Sequence, residues 1–302
     1  MNIAGRSFRT IRVGAAMVAF AGVALAGCSS EHPSLFAEGR IEVGSKSDQP
    51  GTSYSPHDGE FTGFDITVAR EVLRKVGIET PDFEGVLSEN RASDLHRGDI
   101  QLVAATYSIT AERMAPKSER GDGLDFVGPY ASTQQGILVR TEDAEQYQRM
   151  SDFNGKLVCV WKGTTSAAEL KREAYSKIGL AVETDARTCV RRLRDKTIDA
   201  VSTDQLILYG FMEDESGFAV VHSLTFGAFN DYGIAMVKGH REDCRKLQDA
   251  LMEYARSNDW DRDFQNDLPK VPKAIRDEAR PTEDDIDRYS CRDRPGNAQA
   301  AD

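Results

Sequence analysis

The 302-residue sequence predicts an α/β protein made of two similar half-chains, and three observations carry that prediction. Short apolar runs of strand length alternate with segments whose apolar residues recur at helix spacing. The near-continuous apolar run at residues 100–105 suits a parallel sheet covered on both faces. The order strand, glycine turn, helix, strand, helix, apolar strand is complete before Tyr130 and begins again near Gln135, as architecture rather than as a sequence repeat.

In chain order, residues 29–38 read as a polar tether and residues 40–44 alternate as a first strand. Gln49-Pro50-Gly51 and Asp58-Gly59 mark turns. From Phe64-Asp65 a helix follows: Ile66, Val68, Ala69, Val72, Leu73 and Val76 share one stripe, and Gly77 stands where a helix ends. A second helix covers residues 90–96, is closed by Arg97-Gly98, and leads into the buried strand. In the second half, residues 135–139 form a strand, 151–155 a helical turn and 157–160 a strand. Gly163-Thr164-Thr165 then opens a helix over 166–178. Residues 181–183, 188–194 and 198–201 continue as strand, helix, strand, and 233–237 form a further strand. Residues 244–256 make an amphipathic helix with Leu247, Leu251 and Tyr254 on one stripe. From Pro269 the chain is charged and proline-containing, and it reads as a tail packed on the first half.

The composition is that of a globular protein, with 40% hydrophobic and 29% charged residues. A net charge of -11 argues against a nucleic-acid partner, because phosphate binding needs a basic footprint. Arg6, Arg9 and Arg12 precede an apolar stretch at residues 13–26 that is short for a membrane span, which is the pattern of a secretory signal. It ends in Leu25-Ala26-Gly27-Cys28, which resembles a bacterial lipobox. Residues 1–27 are therefore expected to be a lipoprotein signal peptide, with Cys28 lipidated and residues 28–38 tethering the chain to the extracytoplasmic face of the membrane. An ordinary signal or an uncleaved anchor is the other reading. Cleavage removes three arginines and no acids, which takes the net charge from -11 to about -14. Cys159, Cys189, Cys244 and Cys291 remain, and outside the cytoplasm they permit disulfides in three possible pairings. Cys159 with Cys189 is preferred because both lie in the second half. Cys244 with Cys291 would then staple the tail, and buried free thiols are the alternative. No cysteine or histidine spacing suits a metal.

The strongest chemical signal is Ala104-Ala105-Thr106-Tyr107-Ser108-Ile109-Thr110-Ala111-Glu112-Arg113, followed by Leu124-Asp125-Phe126-Val127-Gly128-Pro129-Tyr130. A buried strand ends in hydroxyl residues, and a helix then opens with an arginine in its first turn. Free N–H groups, hydroxyls and a planar guanidinium can converge there on one carboxylate. The alternative is a Thr110 cap with Arg113 in a surface ion pair.

That string resembles the signature of bacterial extracellular solute-binding proteins of family 3, the polar amino acid receptors of ABC importers. Four further stretches agree in order and spacing: Gly63-Phe64-Asp65, Arg97-Gly98-Asp99-Ile100, Lys162-Gly163-Thr164-Thr165, and Ile198-Asp199-Ala200-Val201 before Asp204. They cover roughly residues 40–260. The resemblance implies a two-lobe, periplasmic-binding-protein-like (type II) fold with two hinge strands. Lobe 1 would span 39–133, lobe 2 137–229, and 232–302 would return to lobe 1 and end in the tail. It implies that Arg113, Ser108 and Thr165 hold a ligand α-carboxylate and that Thr106 and Asp204 meet its α-ammonium. A zwitterion needs one fixed cation and one fixed anion. Asp204 could otherwise cap the helix that starts at Gln205.

Lys46 and Arg91 are the candidate cations for the ligand side chain. Asn90-Arg91 and a basic residue at position 46 resemble receptors for glutamate and aspartate, and Asp48-Gln49-Pro50-Gly51 resembles actinobacterial glutamate-binding lipoproteins. Two cations would favour an acid over its amide; both could instead be solvated at the surface. Tyr54, Phe61, Tyr107 and Tyr130 are candidates to pack on the ligand stem or simply to fill the core. His32, His57, His96, His222 and His240 are scattered, and no nucleophile, P-loop or dinucleotide motif is present, so no enzyme is indicated and no cofactor is expected. The expected partners are a small amino acid, the membrane through the lipid anchor, and an ABC permease. A membrane sensor partner is the alternative, as is a dehydratase-like enzyme on the same fold.

Overall fold

The structure is a computed structural model that describes residue 1 and residues 32–57, 59–214 and 216–296. The leader beyond Met1, Cys28, the start of the tether, Asp58 of the second turn signal and the last six residues lie outside the described residues.

Lobe 1 begins with β1 (Glu42–Ser45), the short hairpin β2 (Asp48–Gln49) and β3 (Ser53–Tyr54), and α1 (Phe64–Lys75). The stripe read from the sequence is the buried face of α1: Ile66, Val68, Ala69, Val72 and Leu73 are all buried. Then come β4 (Asp82–Gly85), α2 (Arg91–Arg97), β5 (Leu102–Val103), the single turn α3 (Ala111–Met114) and the 17-residue β6 (Leu124–Arg140). Lobe 2 follows with β7 (Leu157–Trp161), α4 (Thr165–Glu169), β8 (Gly179–Glu183), α5 (Ala186–Arg194), β9 (Ala200–Asp204), α6 (Gln205–Asp214) and β10 (Phe218–Val220). The chain returns through β11 (Phe226–Val237) to α7 (Arg241–Arg256), α8 (Asn258–Asp267), α9 (Lys273–Ala279) and α10 (Glu283–Tyr289).

In lobe 1, β1 lies parallel between β4 and β5, and β11 runs antiparallel beside β5. In lobe 2, β7 lies parallel between β8 and β9, and β9 runs antiparallel beside β6. The same core is therefore built twice, as the sequence order predicts. Strands β6 and β11 pair with each other and pass from one lobe into the other, the two hinge strands that the resemblance implies. Their register slips between Phe226 and Asn230 and again between Tyr232 and Ile234, so the crossing is the irregular part of the ladder. The restart seen near Tyr130 lies within a single strand.

Two expectations need correction. The helix expected over 166–178 stops at Glu169, Arg172 turns extended, and a separate turn follows at Glu173–Tyr175. Residues 171–174 and 176–177 are all exposed, and only Tyr175 and Ile178 of this stretch turn inward. The tail is helical instead: Trp260 and Phe264, one turn apart, and Ile286 are fully buried, enough to hold α8 and α10 against lobe 1. Both preferred disulfides form, Cys159–Cys189 between β7 and α5, and Cys244–Cys291 between α7 and the segment after α10.

Candidate functional site

The C-terminal ends of the parallel strands of both lobes face one crevice, where open α/β sheets place their ligands. Lobe 1 brings Gln49 of β2, Ser88 and Arg91 beyond β4, Thr106 and Ser108 beyond β5, and Arg113 of α3. Lobe 2 brings Trp161 at the end of β7, Thr164 and Thr165 at the start of α4, Thr203 and Asp204 at the end of β9, and Ile207 of α6. These residues line a cavity of about 10 Å³, the space of a single water, with the lobes in contact. A wider groove of about 1200 Å³ adjoins it and shares Ser88, Arg113, Thr164 and Thr165. Six of the seven ligand-binding residues expected from the sequence thus meet; the seventh, Lys46, is not on the wall.

Two guanidiniums dominate the charge. Arg91 is 3% exposed and donates to the carbonyls of Ser88 (3.0 Å), Ala105 (2.9 Å) and Gly163 (2.9 Å). Burial, and then the neighbouring Arg113, push its pKa down to about 10, so it remains a cation at neutral pH. Arg113 donates to the carbonyls of Ser108 (2.6 Å) and Gly163 (3.1 Å), so both arginines of lobe 1 converge on one carbonyl of lobe 2. Both also lie over the ring of Tyr107, at 4.0 and 4.4 Å from its centroid. Thr110 does cap α3, accepting from the backbone N–H of Arg113 at 3.2 Å. The guanidinium, however, turns to the cleft carbonyls rather than to a surface carboxylate. Gly163 has φ +75°, and a Cβ there would stand 2.5 Å from the backbone of Ser88 and Glu89, so only glycine lets the lobes meet at this point.

Asp204 faces these cations from lobe 2. It is 4% exposed, and its two oxygens accept from Asn230 Nδ2 (2.7 Å) and the Tyr232 hydroxyl (2.8 Å), both on hinge strand β11. Both carboxylate oxygens are thus directed to the hinge strand rather than spent on a cap for α6. Burial pushes its pKa up to about 6, against the opposing pull of the Tyr232 bond and of Arg113 and Arg91.

Behind the wall, Asp65 accepts from the N–H of Thr106 and the hydroxyl of Tyr130, both at 2.7 Å. Burial pushes its pKa up to about 7. These bonds hold Thr106 at φ +46°, a left-handed conformation that costs a threonine energy, and so fix the strand end that faces the ligand space. Tyr130 therefore serves the frame, and Phe61 packs on Phe83.

Lys46 is 1% exposed. Its Nζ lies 3.3 Å from Asp48 Oδ1 and donates to the Val86 carbonyl at 3.0 Å. Burial lowers its pKa, and Asp48 opposes that shift. The other oxygen of Asp48 crosses between the lobes to accept from the N–H of Ala186, the first residue of α5, at 2.7 Å. Lys46 is thus the counter-ion of a lobe-to-lobe contact.

Sequence reasoning placed Gln49 only in a turn and gave no role to Ser88, Trp161, Thr203, Ile207, Asn230 or Tyr232. The usable signal for Trp161 was its place at the end of a strand directly before a recognised turn. Asn230 and Tyr232 lie on a strand whose first half was not recognised. Among the described residues, no group of three or more His, Cys, Asp or Glu is arranged to hold a metal, and no helix is long and apolar enough to cross a membrane.

Residues 41–266 match the family model of bacterial extracellular solute-binding proteins, family 3. The glutamate-binding protein GluB of Corynebacterium glutamicum is 31% identical over 264 residues, covering 82% of this chain and 86% of that protein. The ABC transporter glutamine-binding protein GlnH of Bacillus subtilis is 29% identical over 222 residues, covering 72% and 77%. Among solved structures, an ancestral arginine-binding protein bound to arginine superposes with a TM-score of 0.66 at 25% identity, over 76% of this chain and 98% of that one.

Proposed function

This chain belongs to the bacterial extracellular solute-binding proteins of family 3, and from that premise we propose that it captures an acidic amino acid, glutamate or aspartate, for an ABC importer. It is an extracytoplasmic binding protein for a small amino acid, not an enzyme. The lipid anchor at Cys28 belongs to the proposal and rests on the lipobox-like string.

The observation that carries the choice of an acid is the charge inventory of the cavity. Arg91 and Arg113 bring two positive charges and Asp204 one negative, while Lys46 and Asp48 cancel each other. Glutamate, with two carboxylates and one ammonium, neutralises the remaining cation. Glutamine leaves it buried and unpaired, and arginine adds a third. In this reading Arg113, Ser108 and Thr165 hold the α-carboxylate, and Thr106 and Asp204 hold the ammonium. Arg91 meets the side-chain carboxylate. The guanidinium edges now on the Gly163 carbonyl are the donors that the ligand takes over when the lobes part to admit it.

Relatives at comparable identity are named for glutamate and for glutamine, so kinship alone does not choose between them. Calorimetric titration of the mature protein with glutamate, aspartate, glutamine, asparagine and arginine does. The expected result is tight binding of an acid with at least about tenfold weaker binding of its amide. Amide binding as tight as acid binding, or a preference for arginine, overturns the proposal.

A further inference from the structure

The chain has two tryptophans, and both are buried. Trp260 packs against Phe64 and Phe264 in lobe 1, and its indole N–H donates to the Tyr130 carbonyl at 2.9 Å. Trp161 differs. It is 1% exposed, and its Nε1 has no hydrogen-bond partner among the described residues. Its backbone is pinned on both sides: it pairs with Glu183 of β8, and its carbonyl accepts from the Thr164 hydroxyl at 2.7 Å. Trp161 lines the cavity together with Ile207 and Asp204 of its own lobe and with Gln49, Arg91 and Thr106 of lobe 1. Buried donors are rarely left unpaired, and tryptophan is normally buried only where its N–H finds an acceptor.

We infer that the Trp161 indole N–H is a specificity-determining donor that reads an acceptor oxygen on the side chain of the ligand, beside Arg91. The inference rests on the acidic amino acid reading and deepens it. Arg91 spends two N–H groups on the carbonyls of Ser88 and Ala105 in its own lobe, which leaves at most three for a ligand that takes over the one now on Gly163. A carboxylate offers about four lone-pair positions, more than one partly committed guanidinium fills. Trp161 supplies a further donor from the opposite lobe, so contact with the far carboxylate also draws the lobes together. A side chain ending in a methyl group or a cation would leave this N–H buried without an acceptor. The guanidinium charge then separates acid from amide.

Calorimetry on the wild type and Trp161→Phe with glutamate tests the assignment. The substitution keeps an aromatic ring and removes the N–H. The expected loss is roughly tenfold or more in glutamate affinity, with the melting temperature retained. Unchanged affinity overturns the role of Trp161 while leaving the acidic reading intact. A wild type that binds only another amino acid overturns the acidic reading itself, and this assignment with it. If the variant does not fold, the two indole N–H resonances of the wild type decide by NMR. One is expected to move on addition of glutamate while the other stays, and two stationary resonances in a glutamate-bound protein overturn the assignment.

Discussion

At the scale of single residues, the cleft is a set of buried and half-buried charges, each held by named partners. Arg113 is half-buried, lines both the cavity and the wider groove, and donates to carbonyls. Arg113→Ala is expected to weaken glutamate binding by about a hundredfold or more, as truncating one member of a buried charge pair does, and calorimetry reads it directly. Lys46 behaves differently. Its removal leaves Asp48 buried without a counter-ion, so Lys46→Met should cost about 3–5 kcal/mol of stability in urea unfolding while the acid-over-amide preference stays. Loss of that preference would mean that Lys46 reaches the ligand after all. Asp204 sets the pH response. It must be ionised to pair with an ammonium, and burial holds its pKa near 6. Below that value the ligand must displace a proton, so affinity should be level one unit above it and fall towards tenfold one unit below it. Titrations at the two pH values, in buffers of different ionisation enthalpy, would show proton release only on the acid side.

At the scale of elements, two close approaches add to the one at Gly163 in holding the closed contact. The β2–β3 turn sits against α6, where a Cβ on Gly210 would lie 1.8 Å from the Pro50 carbonyl. Alanine is ordinarily the better helix residue, by about 1 kcal/mol. Gly210→Ala is nonetheless expected to weaken the binding of every ligand to a similar degree, because it acts on closure and not on recognition; a gain in affinity would remove the role given to this contact. The other approach is Asp48 on the N-terminus of α5, near Arg187, which donates to the Ser47 carbonyl at 3.2 Å. These elements differ in how far the sequence revealed them. The central parallel strands β5, β7 and β9 were legible because they are buried and apolar, whereas the exposed, polar edge strand β4 was not read. The helix after Thr165 was extended too far because Tyr175 and Ile178 continue its apolar spacing while the residues between them face solvent. The tail helices were hidden because few apolar residues anchor a mostly charged surface. The hinge strands were hidden because polar residues such as Asn230 and Asp231 stand at the crossing, and a period-two reading stops there.

At the scale of the whole molecule, two half-cores share β6 and β11, and the ligand space opens where those strands cross between them. The strand–helix order repeated in the two halves, both disulfide pairs and the meeting of six of the seven candidate residues in one crevice could be read from the chain. The frame built on Asp65 and the unpaired indole of Trp161 could not, because each depends on residues far apart in sequence meeting in a dry interior; Lys46 and Asp48 are near neighbours, but their burial against Val86 and Ala186 is equally long-range. A net charge of -11 surrounds a cleft with surplus positive charge. The anionic ligand is therefore held by local cations against the overall field, and affinity comes from buried pairing more than from long-range attraction. The central claim is that Arg113 on one lobe and Asp204 on the other grip the two ends of an amino acid. The most direct test is one calorimetric comparison on the mature protein: glutamate against 2-oxoglutarate, which keeps both carboxylates and lacks the ammonium. The account predicts that glutamate binds at one site per chain and that 2-oxoglutarate shows no measurable heat, because Asp204 would be left buried opposite a carbonyl. Equal binding of the two would contradict it.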